Sequence, residues 1–211
     1  MAAGAGEIRK RIEAAGADPR SITIIAVTKT FDAATARSAI GAGFDQLGEN
    51  YAAELLDKAA QLADSAVDWH YLGAIQTNKV GRLAPVTTCF QGLARLREAH
   101  AIATRKPGAR VMVQVELTGL SGRNGCAPAE VPALVERAQA MGLAVDGLMT
   151  VAPIEPDRAR QAFRRVRELA DDLGLVERSM GMSDDLEIAI EEGSTMLRLG
   201  RALFGSRETR T

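Results

Sequence analysis

Only two of the 211 residues are cysteine, Cys89 and Cys126, and they stand far apart. They form no metal-type pair and no disulfide framework, so both are read as reduced thiols of a cytosolic protein. Cys126 has no histidine near it in sequence that would make it a nucleophile, and reads as a small core or loop residue. The acidic residues show no spacing that suggests a metal site. The net charge is -1, which leaves no general basic field to hold nucleic acid or an anionic membrane. One basic run, Arg158–Arg165, is flanked by Glu155, Asp157 and Glu168 and reads as a solvated helix face. No apolar run approaches the roughly 20 residues that cross a bilayer. The start, Met1–Glu7, lacks the basic and apolar stretches of a signal peptide. No linker, low-complexity stretch or repeat divides the chain, so residues 1–211 are expected to form one domain.

What the chain does have is alternation. Strand-like runs are read at Thr23–Thr28, Phe44–Leu47, Trp69–Leu72, Val86–Phe90, Arg110–Glu116, Leu143–Met149, Glu177–Met180 and Met196–Leu199. Helical stretches lie between them, at Ala33–Ala42, Tyr51–Ala63, Asn78–Leu83, Leu93–Thr104, Pro128–Met141, Pro156–Leu173 and Asp184–Glu192. A further helix near Glu7–Ala15 precedes the first strand. Alternation of this kind implies a parallel sheet covered by helices. Eight βα-like units in about 200 residues fit a compact (β/α)8 barrel of the TIM type with an extra N-terminal helix. A doubly wound open sheet is the competing architecture.

Function in such a barrel sits on the loops that follow the strands. Lys29 ends the apolar first strand. A lysine there either snorkels to water or is used covalently, because an apolar surround favours the neutral, nucleophilic amine. The loops after the seventh and eighth strands often build a phosphate site from backbone N–H groups. Ser183 stands in the first of them, where it can cap a helix or give its hydroxyl to a phosphate. Gly200, in the second, allows close approach of the backbone to a ligand. Arg198 points to the opposite side of its strand from Leu197 and Leu199, hence into the barrel, and needs an acceptor there. A lysine, a phosphate cradle and an inward arginine on one barrel face describe a pocket for pyridoxal phosphate, whose ring nitrogen can be partnered by Asp or Arg. A cofactor-free Schiff-base aldolase acting on a phosphosugar would use the same lysine and loops.

Several segments carry a resemblance. Ala26–Thr30 (AVTKT), Gly48–Tyr51 (GENY), Trp69–Gly73 (WHYLG), Gln76–Lys79 (QTNK), Gly147–Thr150 (GLMT) and Ser179–Asp185 (SMGMSDD) are similar, in order, to the pyridoxal phosphate homeostasis (YggS/PROSC) family. The similarity runs from Ile22 to Arg207. It implies the barrel of fold-type III enzymes, the alanine racemase type, without that enzyme's second domain. It also implies pyridoxal 5'-phosphate held as an internal aldimine on Lys29, with Arg198 facing the pyridine nitrogen. By the same resemblance Ser183, with backbone of Met182, Gly200 and Arg201, holds the phosphate, and Asn50 and His70 lie near the ring, although a lone strand histidine such as His70 reads equally as a hydrogen-bonded structural residue. The implied role is intracellular homeostasis of the cofactor, which is passed to apoenzymes; the cytoplasmic setting is read from the reduced thiols, and a closed barrel of this size without a sticky stripe is expected to be a monomer. The alternative is an amino-acid racemase-type enzyme. Racemisation needs a second base on the opposite face, and the only tyrosines, Tyr51 and Tyr71, both fall in barrel motifs. The sequence departs from the family pattern at Thr28 (usually Ser), Arg201 (often Thr), Ala74 (usually bulkier) and Cys89–Gly92, which is expected to be the loop after the fourth strand.

Overall fold

The computed structural model describes residues 2–205, in which eight parallel strands close into a barrel in sequence order. The strands are β1 (Thr23–Val27), β2 (Gln46–Glu49), β3 (Asp68–Tyr71), β4 (Cys89–Leu93), β5 (Arg110–Val115), β6 (Ala144–Thr150), β7 (Glu177–Ser179) and β8 (Met196–Leu199). Helix α1 (Ala2–Ala14) precedes the barrel. The covering helices are α2 (Ala33–Gly41), α3 (Ala52–Gln61), α4 (Thr77–Leu83), α5 (Leu96–Arg105), α6 (Val131–Ala140), α7 (Pro156–Asp172) and α8 (Leu186–Glu191), and the short α9 (Arg201–Phe204) follows β8. The ring closes where β8 pairs with β1, with Ile25 opposite Arg198 and Ala26 opposite Leu199. The weakest joint is β7, which meets β8 through the single pair Ser179–Met196. The residues expected beyond Gly205, including Arg207 at the end of the resembling stretch, lie outside the described residues.

The two-residue period of the strands sorts their side chains into two clusters. Ala26, Leu47, Trp69, Phe90, Val111, Leu148, Leu197 and Leu199 face outward and pack under the helices. Ile25, Val27, Leu72, Cys89, Met112, Met149 and Met196 form a smaller cluster inside the barrel. The interior also holds buried polar groups, His70, Gln91, Ser179 and Arg198. These stand at the inward parity of their strands, and their presence is what lets the barrel interior do more than pack.

Two strands start later than the hydrophobic pattern suggests. Phe44 does not open β2, because its N–H donates to the Ala39 carbonyl and closes the end of α2. Val86 and Thr87 likewise donate to Leu83 at the end of α4, and β4 begins at Cys89. The segment Cys89–Gly92 is therefore strand rather than the loop that follows it. Pro128 opens a short 3-10 turn, Pro128–Glu130, and α6 follows from Val131. Among the described residues no helix is long and apolar enough to cross a membrane.

Candidate ligand-binding cleft

At the C-terminal mouth of the barrel a cleft of about 780 Å³ is lined by Lys29, Asn50, Met182, Ser183, Arg198, Gly200 and Arg201, together with Gln114, Glu116, Arg123 and Asn124. This volume lies in the range of small-molecule sites. Seven of the eight residues singled out in the sequence thus converge on one opening. The eighth, His70, does not line it. His70 sits deeper in the barrel and lines a second cavity of about 850 Å³ at the opposite, N-terminal end.

Lys29 continues the inward parity of Ile25 and Val27 and is half-buried at the cleft wall. Its neighbours fix its backbone on both sides. Thr28 is fully buried and donates from Oγ1 to Glu49 Oε1 at 2.7 Å, while its carbonyl accepts from Lys58 Nζ at 2.7 Å. Lys58 also donates to Glu49 Oε1 at 2.6 Å, both side chains being almost wholly buried. Burial pushes the Glu49 carboxyl above its ordinary value, against the pull of Lys58 and Thr28, and Glu49 Oε2 has no hydrogen-bond partner among the described residues. On the other side Thr30 adopts φ 67°, a left-handed conformation unusual for a β-branched residue. Its N–H donates to Glu54 Oε2 at 2.6 Å. A strained residue held on both sides is a common sign of a site where geometry matters more than comfort.

Arg198 is 5 % exposed. Its Nη1 donates to the Ser179 carbonyl at 2.5 Å and to Ser179 Oγ at 2.8 Å, and its Nη2 donates to the Thr150 carbonyl at 2.6 Å. A guanidinium has five N–H donors, and among the described residues three of them are used. Burial lowers its pKa to about 10, with Asp185 the charge that opposes the shift, so the group is still a cation at neutral pH.

The loops after β7 and β8 meet beside it. Ser183 does not cap α8; that position belongs to Asp185. The Ser183 hydroxyl instead accepts from the Ala202 N–H at 3.1 Å, which keeps its own proton for donation. Arg201 forms an ion pair with Asp184 that ties the two loops together across the surface. The Met182 N–H, expected to serve a phosphate, is engaged by Asp185 Oδ1 at 2.5 Å. From behind, α1 braces the β7 loop: Arg11 grips Glu187 with Nε and Nη2 and donates to the Ser183 carbonyl at 3.1 Å. Across the mouth the loops after β2 and β3 and the C-terminal end of β4 touch backbone to backbone. A Cβ on Gly73 would lie 2.1 Å from the Asn50 carbonyl oxygen, and one on Gly92 2.3 Å from that of Gly73, so only glycine allows this approach.

The charges facing the cleft are four cations (Lys29, Arg123, Arg198, Arg201) and three acids (Glu116, Asp184, Asp185). Glu116 is occupied by the Thr118 and Gly119 N–H groups of its own loop, and Arg201 and Asp184 pair with each other, which leaves three basic side chains against two acids. The balance favours an anionic ligand. Neither tyrosine lines the cleft: Tyr71 is buried outside the barrel, edge-on to Phe90, and Tyr51 is exposed. Gln91, Gln114 and Ser179 were not singled out by the sequence reading. The available signal was polarity at inward positions of otherwise apolar strands.

A closed (β/α)8 barrel with a lysine, a buried arginine and two bridged loops at one mouth defines a class of small-molecule-binding barrels. Residues 6–208 match the model of the alanine racemase N-terminal domain. A Pseudomonas aeruginosa protein named pyridoxal phosphate homeostasis protein is 43% identical over 213 residues, covering 97% of this chain and 93% of its own. The chain therefore belongs to the alanine racemase N-terminal-domain family, in the branch of the pyridoxal phosphate homeostasis proteins. Solved structures of PipY from Synechococcus elongatus superpose closely. The form without PLP gives a TM-score of 0.88 at 29% identity, covering 97% of this chain and 99% of that one. The form with PLP bound gives 0.81 at 30% identity, covering 94% and 100%.

Proposed function

We propose that this chain binds pyridoxal 5'-phosphate in the C-terminal cleft, covalently through Lys29, and serves the intracellular homeostasis of that cofactor rather than amino-acid turnover. The observation that carries this reading is the meeting of Lys29, Arg198 and the Ser183–Arg201 loops in one cation-rich cleft, in a chain whose relatives carry that role in their names. The donor set fits the cofactor. It offers an amine for an aldehyde, a guanidinium, and a hydroxyl with a free proton. When bound, the cofactor supplies an aldehyde that condenses with a neutral amine, releasing one water, and a ring that withdraws electrons.

In this reading the residues divide the work. Thr28 and Thr30 hold the Lys29 backbone so that its amine projects along the cleft wall. Arg198, unable to accept a proton, faces the ring nitrogen and keeps it unprotonated, which weakens the ring as an electron sink. Ser183 and the backbone at Gly200 and Arg201 hold the phosphate, Arg201 adds charge beside it, and Asn50 lies near the ring. Met182 contributes its backbone only if Asp185 releases it. With both tyrosines outside the cleft, the opposite-face base of a racemase has no candidate of that kind here. The two buried, free thiols suit a reducing cytosol. PLP-requiring apoenzymes are the recipients in this reading, and the chain acts as a monomer.

The test is an absorbance titration with pyridoxal phosphate, paired with an assay for interconversion of alanine enantiomers. Visible absorbance that depends on Lys29 and is altered in Arg198→Met, without enantiomer interconversion, is the expected result. Lys29-dependent racemisation at rates typical of enzymes would overturn the reading in favour of a catalyst.

A further inference from the structure

Of the two readings open for His70, a neighbour of the ligand or a hydrogen-bonded strand histidine, the second describes its place: it lies in the barrel interior with both ring nitrogens engaged. Its surroundings form one continuous line of hydrogen bonds. Arg198 Nη1 donates to Ser179 Oγ at 2.8 Å, and Ser179 Oγ donates to Gln91 Oε1 at 2.7 Å. Gln91 Nε2 meets His70 Nδ1 at 2.9 Å, and His70 Nε2 meets Gln46 Oε1 at 2.8 Å. Gln46 Nε2 then donates to Asp68 Oδ2 at 2.8 Å. The Asp68 carboxylate can only accept, so Gln46 turns its amide N–H to it and its carbonyl to a proton on His70 Nε2; with the imidazole neutral, Gln91 donates to Nδ1 and accepts from Ser179. The imidazole is thereby set as the neutral tautomer with its proton on Nε2, in keeping with burial lowering its pKa to about 4. The line crosses the barrel from the cleft to the N-terminal cavity, where Gln46, Asp68 and His70 are all wall residues.

We propose that His70 and Gln91 are positioning residues for the cleft: they fix the Ser179 hydroxyl as an acceptor for Arg198 and so set the guanidinium that faces the ligand. Neither touches the ligand, because neither lines the cleft. Without Gln91 Oε1 the Ser179 proton has no partner and the hydroxyl is free to rotate toward another acceptor, such as the Arg198-facing carbonyls, and lose its hold on Nη1. Hydrogen bonds in series polarise one another inside a low-dielectric interior, so a break far along the line is felt at its head. This inference rests on the reading of Arg198 as the partner of the cofactor ring.

The experiment compares wild type, Gln91→Met, Gln46→Leu and Arg198→Met. Each is titrated with pyridoxal phosphate by absorbance, and the His70 nitrogens are followed by 15N NMR in the unliganded protein. Wild-type His70 is expected as the Nε2–H tautomer; an Nδ1–H tautomer overturns the direction of the line. Gln91→Met is expected to raise the dissociation constant about tenfold and to shift the absorbance of the bound cofactor, the equivalent of one hydrogen bond lost at Arg198. Gln46→Leu, at the partly exposed end, is expected to weaken binding about threefold and decides the matter alone if Gln91→Met does not fold. Wild-type affinity and spectrum in the chain variants, beside an impaired Arg198→Met, sinks the positioning role and leaves the reading of Arg198 intact. Wild-type behaviour of Arg198→Met itself sinks that reading, and the positioning role with it. A purely structural line would lower the melting temperature of Gln91→Met and leave the spectrum unmoved.

Discussion

His70 makes the stability of the protein depend on pH in a window that can be calculated. Burial, with a smaller push from Arg110 and against the pull of Asp68, takes its pKa from 6.5 to about 4 in the folded chain. The unfolded chain binds the same proton near pH 6.5. Between these values the unfolded state holds more protons, so stability falls as the pH drops. The contribution is complete above about pH 7 and is lost as pH falls toward 4, amounting to about 3 kcal/mol in total at 1.36 kcal/mol per pK unit. A His70→Gln variant has no such titration. Urea denaturation of both proteins at pH 7.5 and pH 4.5 isolates the effect, because the carboxylates titrate alike in each. Wild type should lose roughly 2–3 kcal/mol more than His70→Gln over that interval. Parallel profiles for the two proteins would refute the buried, neutral imidazole and the hydrogen-bond line drawn through it.

The remaining expectations concern the supports of the cleft. Lys58→Met leaves Glu49 buried without its cation and should cost about 3–5 kcal/mol in chemical denaturation, most of it recovered when Glu49→Gln is added; no recovery would mean the pair is not what holds Thr28. Thr30→Gly removes the left-handed cost of a β-branched residue against glycine's extra chain entropy, a net gain of about 0.5 kcal/mol, and a loss of stability would show that the Thr30 backbone is not strained. Arg11→Met takes the brace from the Ser183 carbonyl and should weaken pyridoxal phosphate binding about threefold in an absorbance titration, with unchanged affinity counting against a role for α1 at the cleft.

Legibility in the sequence followed the chemistry of each position. β8 was read at its observed bounds because Met196–Leu199 is a clean run with one inward polar residue, and the same parity correctly turned Arg198 away from Leu197 and Leu199. β2 and β4 were read two or three residues early. There the apolar residues Phe44 and Val86 finish the preceding helices, while the true strands carry Gly48, Gln91 and Gly92 at positions where a hydrophobic pattern has nothing to register. The convergence of Lys29, Ser183, Gly200 and Arg201 was legible because barrel topology sends every strand's C-terminal loop to one face. The depth of His70 was not: loop and strand-end motifs say which segment a residue belongs to, while its height along the barrel depends on the stagger between strands. Lys58 left a trace that could have been followed, standing at the spacing of Ala52 and Leu55 on the buried face of α3, where a lysine demands a partner.

The most direct test of the central claim is reduction with borohydride after addition of pyridoxal phosphate, followed by peptide mapping. A single reduced adduct on Lys29, absent from Lys29→Ala, is the predicted result. An adduct spread over surface lysines, or none on Lys29, would contradict the assignment of the cleft.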